Sequence, residues 1–244
     1  MNTDLNRRNL MAGTLALATA ACSNKIAAAQ VQEKVANTAL AQPARPVTSW
    51  PQWDSTDADG LVAVLNSGKW GRLNGTRVAE FEQCWRDTMQ ARYCIATSSG
   101  TTALLTALGA LDIGPGDEVI MPPYTFVATF NAITNSYALP VFVDSDLASF
   151  QIDALKISPA ITANTRLILP VHIGGTPVDL DAVSKIASEK NIAFIEDACQ
   201  APLAVWRGKP VGTHGLGGCF SFQSSKNLTS GEGGAVVTNN ETFA

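Results

Sequence analysis

The sequence predicts an α/β fold: a mostly parallel sheet with helices on both faces. Short apolar strands alternate with amphipathic segments of helical period from about residue 56 onward, which is the pattern of such a covered sheet. The chain also has enough apolar residues to build a core. Its 244 residues are 46% hydrophobic and 16% charged, which suits one large or two small globular domains.

The elements follow in order. Residues 57–68 ("DADGLVAVLNSG") and 76–90 ("TRVAEFEQCWRDTMQ") read as helices. "RYCIATSS" (92–99) is a strand and "GTTALLTALGAL" (100–111) a helix. The strand "GDEVIMPP" (116–123) precedes the helix "TFVATFNAITNS" (125–136) and the strand "LPVFVD" (139–144). "TRLILPVH" (165–172) is a strand, "DLDAVSKIASEKN" (179–191) a helix, and "IAFIEDA" (192–198) a strand. "CFSF" (219–222) and "GGAVVTNN" (233–240) close the series as buried strands.

The N-terminus is a separate object. Adjacent Arg7 and Arg8 precede an apolar stretch, Leu10 to Ala21, and a small-residue site at Ala27-Ala28-Ala29. This layout reads as an export signal over residues 1–29, and the arginine pair points to the twin-arginine route to the periplasm. Cys22 resembles a lipoprotein acceptor, although Thr19 stands where such sites favour leucine. Residues 30–55, rich in Pro, Ala and Gln, read as a linker, leaving 56–244 as the folded domain.

The bulk numbers exclude some classes. A net charge of -4 and a pI near 5.2, with no basic patch or stripe, argue against a nucleic-acid partner. No run reaches the roughly 18 apolar residues that cross a membrane. None of the five cysteines, Cys22, Cys84, Cys94, Cys199 and Cys219, forms a C-x-x-C pair, so no metal site is expected. With Cys22 removed, the other four are either buried thiols or, after export, partners in disulfides.

In open α/β sheets, ligands bind beyond the carboxyl ends of the strands. Four strand ends here carry unusual chemistry. At "ATSSGTTALL" (96–105), a strand enters Ser98-Ser99-Gly100 and a helix opens at Thr101, an arrangement that binds anions but also caps ordinary helices. No G-K-[ST] or G-x-G-x-x-G follows, so neither a Walker loop nor a dinucleotide fingerprint is present. At "PPYTFVAT" (122–129), Tyr124 or Phe126 can cover a planar ring, though aromatic residues more often fill cores. At "FIEDACQAP" (194–202), Glu196 and Asp197 end a buried strand, where a carboxylate needs a donor or cation, or Asp197 caps a helix.

The fourth end is "CFSFQSSKNLTSGEGGAVVTNN" (219–240), which holds Ser221 and Lys226. Most lysines are solvated surface charges. Here the flanking runs are buried strands, and "SGEGG" supplies the backbone freedom needed where chain approaches a ligand closely. A partly desolvated amine is a nucleophile for a carbonyl carbon, which makes Lys226 a candidate Schiff-base residue. Phosphate cradle, ring cover, acidic partner and amine together describe a pyridoxal phosphate site.

The stretches "SSGTTALLTALGAL", "IGPGDEVIMPPYTFVATFNAI", "LPVFVD", "ILPVHIGGTPVDLDA", "IEDACQA" and "CFSFQSSKNLTSGEGGAVVTN" resemble the DegT/StrS-type sugar aminotransferases over about residues 60–244. The resemblance implies a fold-type I pyridoxal phosphate enzyme with the large domain of the aspartate aminotransferase-like fold. It implies that Lys226 carries the cofactor and that Asp197 pairs with the pyridine nitrogen. It further implies that Gln200 contacts the ring, that Gly100, Thr101, Thr102 and Ser221 hold the phosphate, and that Phe126 lies against the ring. The reaction implied moves an amino group from glutamate or glutamine to a keto sugar, as a sugar nucleotide or cyclitol, in a homodimer.

The sequence departs from its relatives in several places. Pro202 stands where many relatives have histidine, and "HGLGGC" lacks an acidic residue often found before the "CFSF" strand. Family members are longer, so the expectation is a truncated chain in which residues 56–244 are an incomplete large domain, with the remainder of that domain and the C-terminal small domain absent. Two other readings compete with the aminotransferase. One is a pyridoxal-dependent dehydratase or epimerase, although related dehydratases carry histidine in place of the lysine. The other is a catalytically silent binding or sensory protein on the same fold.

Overall fold

The computed structural model describes residues 49–244. The expected leader, Cys22 and most of the expected linker lie outside the described residues.

Helix α1 (Ser55–Ser67) starts inside the expected linker. The Asp54 carboxylate accepts from Thr56 N, the Asp57 side chain accepts from Asp54 N, and Gly68 ends the helix at φ 63°. None of its residues is buried. Helix α2 (Arg77–Thr88) follows, with Trp85 buried in the core. Then come β1 (Tyr93–Thr97), α3 (Gly100–Ala110), β2 (Glu118–Met121), α4 (Val127–Asn135) and β3 (Leu139–Phe142). Next are α5 (Ala154–Ala160), β4 (Thr165–Ile168), α6 (Leu180–Lys190), β5 (Ala193–Phe194) and β6 (Glu196–Asp197). A hairpin of β7 (Val205–Trp206) and β8 (Lys209–Pro210) leads to β9 (Gly218–Ser221) and β10 (Gly234–Thr238).

The main strands run in the order β3-β2-β4-β5 and β6-β9-β10-β1. The two sets join because β5 and β6 are halves of one run. Ile195 N donates to Ile168 O at 3.2 Å, and Asp197 N donates to Pro170 O at 2.9 Å. Among these eight strands only β10 runs against its neighbours, pairing antiparallel with β1 and β9. The other pairs are parallel, so the sheet is mostly parallel, as the sequence predicts.

Alternation along the strands divides the core between two faces. Val119, Met121, Leu167, Leu169, Ile195, Cys219 and Val236 pack with α3 and α4 through Leu104, Leu108, Ala132 and Ile133. Ile120, Ile168, Phe194, Phe220, Ala235 and Val237 face the other way, onto Trp85 of α2, Ile157 of α5 and Val183 of α6. The result is three layers.

The sequence reading missed helix α5 and the β7–β8 hairpin. Helix α5 has seven residues and contains Pro159, so its helical period is too short to register. The β7–β8 turn uses Arg207 at φ 47° and Gly208 at φ 83°. Two positive φ values suit a two-residue hairpin, but the central residues are not the usual Asn-Gly. Among the described residues all four cysteines are free thiols.

Candidate active site

The carboxyl ends of the central strands open on a cavity of about 390 Å³ on the α3/α4 face. One wall is the start of α3. Ser99 Oγ accepts from Thr102 N at 3.1 Å, and Thr102 Oγ1 accepts from Ser99 N at 2.9 Å. This reciprocal cap engages Thr102 and leaves the first helical N–H groups, on Gly100 and Thr101, without an intrahelical acceptor. Both residues line the cavity, which is the geometry of an anion site. A Cβ at Gly100 would sit 2.7 Å from both Cys199 Sγ and Ser221 Cβ, so only glycine lets α3 approach β9 this closely.

The next wall is the end of β6. The period-two alternation sends Asp197 to the cavity and Glu196 to the opposite face. Asp197 is 4% exposed. Its Oδ2 accepts from Thr129 Oγ1 at 2.7 Å and its Oδ1 from Cys199 N at 3.1 Å. Glu196 is fully buried. It accepts from Gly212 N at 2.6 Å, His214 N at 2.7 Å and Gly215 N at 2.8 Å, and it pairs with His172 Nε2 at 3.0 Å. His172 Nδ1 accepts from Val178 N at 3.1 Å, so Nε2 is the donor toward Glu196. Burial alone would push the Glu196 carboxyl up, but the His172 bond and the backbone donors outweigh it and hold the group below its ordinary value. Glu196 thus ties the 212–215 turn to the sheet.

Lys226 lies on the loop between β9 and β10, half-buried at the cavity. The loop is fastened at its base, where Phe222 N donates to Gly233 O at 2.8 Å and Ser230 N to Phe222 O at 2.9 Å. A turn places the lysine: Lys226 N donates to Gln223 O at 2.9 Å, and Gln223 Oε1 accepts from Ser225 N at 2.8 Å. Trp50 Nε1 donates to Ser224 O at 3.0 Å, fixing the outer side of the loop. Lys226 Nζ stands 5.8 Å from the Phe126 ring centroid, so the amine and the ring border the same space.

Seven of the eight residues singled out for cofactor contact, Gly100, Thr101, Phe126, Asp197, Gln200, Ser221 and Lys226, line this one cavity. Thr102 is not a lining residue, since its N–H and hydroxyl are both turned to Ser99 and Ser98. Of the two aromatic candidates only Phe126 lines the space; Tyr124 is exposed beside Phe150, with ring centroids 6.1 Å apart. Gln200 Oε1 accepts from Gly174 N at 2.8 Å, which leaves its amide N–H groups as the free donors.

Sequence reasoning missed Thr129 and Cys199 as lining residues. The i, i+4 pair Thr125 and Thr129 in "TFVAT" was the available signal for the first. Burial pushes the Cys199 thiol well above its ordinary value, with the Asp197 charge adding to the rise, so the thiol is neutral in the cavity. An anion cradle, a buried carboxylate and an amine therefore face one another across a space of small-molecule size.

A family model described as the DegT/DnrJ/EryC1/StrS aminotransferase family matches residues 51–244. Over 189 residues the chain is 40% identical to 3-amino-5-hydroxybenzoate synthase from Amycolatopsis mediterranei, covering 78% of this chain and 49% of that protein. It is also 40% identical over 205 residues to L-glutamine:2-deoxy-scyllo-inosose aminotransferase from Streptomyces kanamyceticus, covering 82% and 48%. The crystal structure of NtdA from Bacillus subtilis with bound cofactor PMP superimposes with a TM-score of 0.73 at 36% identity, covering 83% and 48%. The chain spans about half the length of the curated relatives it matches.

Proposed function

The chain belongs to the DegT/DnrJ/EryC1/StrS aminotransferase family, and from this membership and the cavity together we propose that it binds pyridoxal phosphate and serves amino transfer. The acceptor class is a keto group on a sugar nucleotide or cyclitol, and the donor is glutamine or glutamate. The observation that carries the reading is Lys226 and Asp197 facing one cavity whose wall is the open N-terminus of α3. The residues fit the cofactor. A Cβ at Gly100 would fill the space between α3 and β9, and the helix start suits a phosphate. Asp197 accepts two protein bonds and keeps a lone pair for a protonated ring nitrogen.

Pyridoxal phosphate, when bound, supplies an electron sink for the substrate's carbon. The chain's own residues supply the rest. The N–H groups of Gly100 and Thr101, with Ser221, bind the phosphate. Asp197 holds a proton on the ring nitrogen by facing it with negative charge. Phe126 covers the ring, and the free amide N–H groups of Gln200 offer it donors. Lys226 Nζ would be the amine that holds the cofactor, and it would serve as the base that takes and returns a proton at the substrate's carbon.

The same reading extends to the assembly and its location. The whole protein acts as a homodimer, and the exposed apolar side chains of Leu61, Val62 and Leu65 on α1 support such a partner. Arg7, Arg8 and the apolar stretch after them support export by the twin-arginine route. Retention of an Arg7→Lys, Arg8→Lys variant in the cytoplasm checks the route, and unchanged export contradicts it.

The test of cofactor binding is absorbance during addition of pyridoxal phosphate to the purified chain. A saturable visible band, absent in Lys226→Ala, is the expected result. A spectrum equal to that of free pyridoxal phosphate contradicts the reading.

A further inference from the structure

We propose that Thr129, backed by Thr125, is a positioning residue that sets the Asp197 carboxylate toward the cavity; this deepens the pyridoxal phosphate reading and rests on it. Thr129 is 1% exposed and sits in the first turn of α4. Its Oγ1 lies 2.7 Å from Asp197 Oδ2 and 2.8 Å from Thr125 Oγ1. An ionised carboxylate only accepts hydrogen bonds, so the single Thr129 proton goes to Asp197. The second bond must then be donated by Thr125, and the run of protons has one direction: Thr125 to Thr129 to Asp197.

This chain of donors restrains a specific torsion. Cys199 N holds Oδ1 from the strand side at 3.1 Å, and Thr129 holds Oδ2 from the helix side. With both oxygens fixed by opposite walls, the carboxylate plane cannot turn about its Cβ–Cγ bond. Its remaining lone pairs are presented to the cavity that Asp197 and Thr129 both line. Removing the Thr129 hydroxyl releases one oxygen and leaves Thr125 without its acceptor. The protein then retains the carboxylate but loses its aim, as happens at sites whose orienting partners are removed.

The threonine pair is not needed to build the helix. Phe126, the N-cap of α4, makes no side-chain capping bond, and Thr129 N bonds to Phe126 O through the backbone, without its hydroxyl. A Val at position 129 therefore changes the hydroxyl while keeping the branched shape. The expected consequence is specific to ligands with a ring nitrogen.

The experiment measures affinity of the full chain for two probes: pyridoxal phosphate, and benzyl phosphate, which has a ring and a phosphate but no ring nitrogen. Wild type, Thr129→Val, Thr129→Ser and Thr125→Val are compared, with unfolding midpoints recorded for each. Thr129→Val should weaken pyridoxal phosphate binding about tenfold to a hundredfold, the range of a hydrogen bond to a charged group. Benzyl phosphate affinity should stay within about twofold, because its phosphate meets α3 and its ring has no nitrogen for Asp197 to hold. Thr129→Ser keeps the hydroxyl and should bind both probes as wild type does. Thr125→Val should weaken pyridoxal phosphate binding alone and by less, and it decides the matter if Thr129→Val does not fold. Unchanged pyridoxal phosphate affinity in the Val variants, or equal losses for both probes, overturns the positioning role. Wild-type protein that binds no pyridoxal phosphate overturns the underlying reading as well, and so separates the two failures.

Discussion

Glu196 and Asp197 are neighbours in the chain, yet their carboxylates lie on opposite faces of the sheet. Asp197 meets Thr129 of α4 at the cavity, while Glu196 meets His172 and three backbone N–H groups behind it. One strand end therefore carries a site acid and a structural anchor, separated by the alternation of β-structure.

The anchor predicts a large stability effect. Glu196→Ala removes the acceptor for three backbone donors, Gly212 N among them buried, and for the buried His172. Breaking such a buried network costs about 3–5 kcal/mol. Urea denaturation of the variant checks this, and a loss below about 1 kcal/mol contradicts the assignment.

The same group predicts an acid limb. The Glu196 carboxyl is held below its ordinary value in the folded state. Its stabilising contribution is therefore fully present above the unfolded-chain value of about 4.3 and is lost as pH falls through the folded value. Urea midpoints measured from neutral pH downward should fall on this limb in wild type. In Glu196→Gln, which cannot titrate, the fall should be shallower; equal slopes contradict the linkage.

Gly100→Ala tests the close approach of α3 to β9. The added Cβ meets Cys199 Sγ and Ser221 Cβ at 2.7 Å each. Overpacking of this kind costs about 1–3 kcal/mol, and the displaced helix start should also weaken binding of phosphate monoesters. Thermal unfolding and a benzyl phosphate titration measure the two effects. A variant with wild-type values in both shows that the wall is softer than its geometry.

Asp197→Asn should leave the fold intact, because the amide oxygen still accepts from Thr129 or Cys199. Turnover of the whole protein should fall about a hundredfold or more, the scale of losing one preorganised charge. Near wild-type turnover removes Asp197 from the chemistry.

Much of this was legible in the sequence for a physical reason. Strand ends announce themselves through short apolar runs, and a charge or glycine placed just after one is conspicuous. Gly100, Asp197, Ser221 and Lys226 were found that way, and they line one cavity. Partnerships across the sheet leave no local trace. His172 and Glu196 are 24 residues apart, and Thr129 and Asp197 are 68 apart. Nothing in either stretch names the other. Thr102 shows the converse limit: its place beside Gly100 and Thr101 suggested a ligand contact, but its hydroxyl completes the cap of its own helix. Short elements such as α5 carry too few periods to be read at all.

The central claim is that the Lys226 amine is the group that captures the cofactor. Reduction of the pyridoxal phosphate-treated chain with borohydride, followed by digestion and peptide mass spectrometry, tests it most directly. The account predicts one stoichiometric pyridoxyl phosphate adduct, on Lys226, that is lost in Lys226→Ala. An adduct on another lysine, such as Lys209 or Lys69, or no adduct at saturating cofactor, would contradict it.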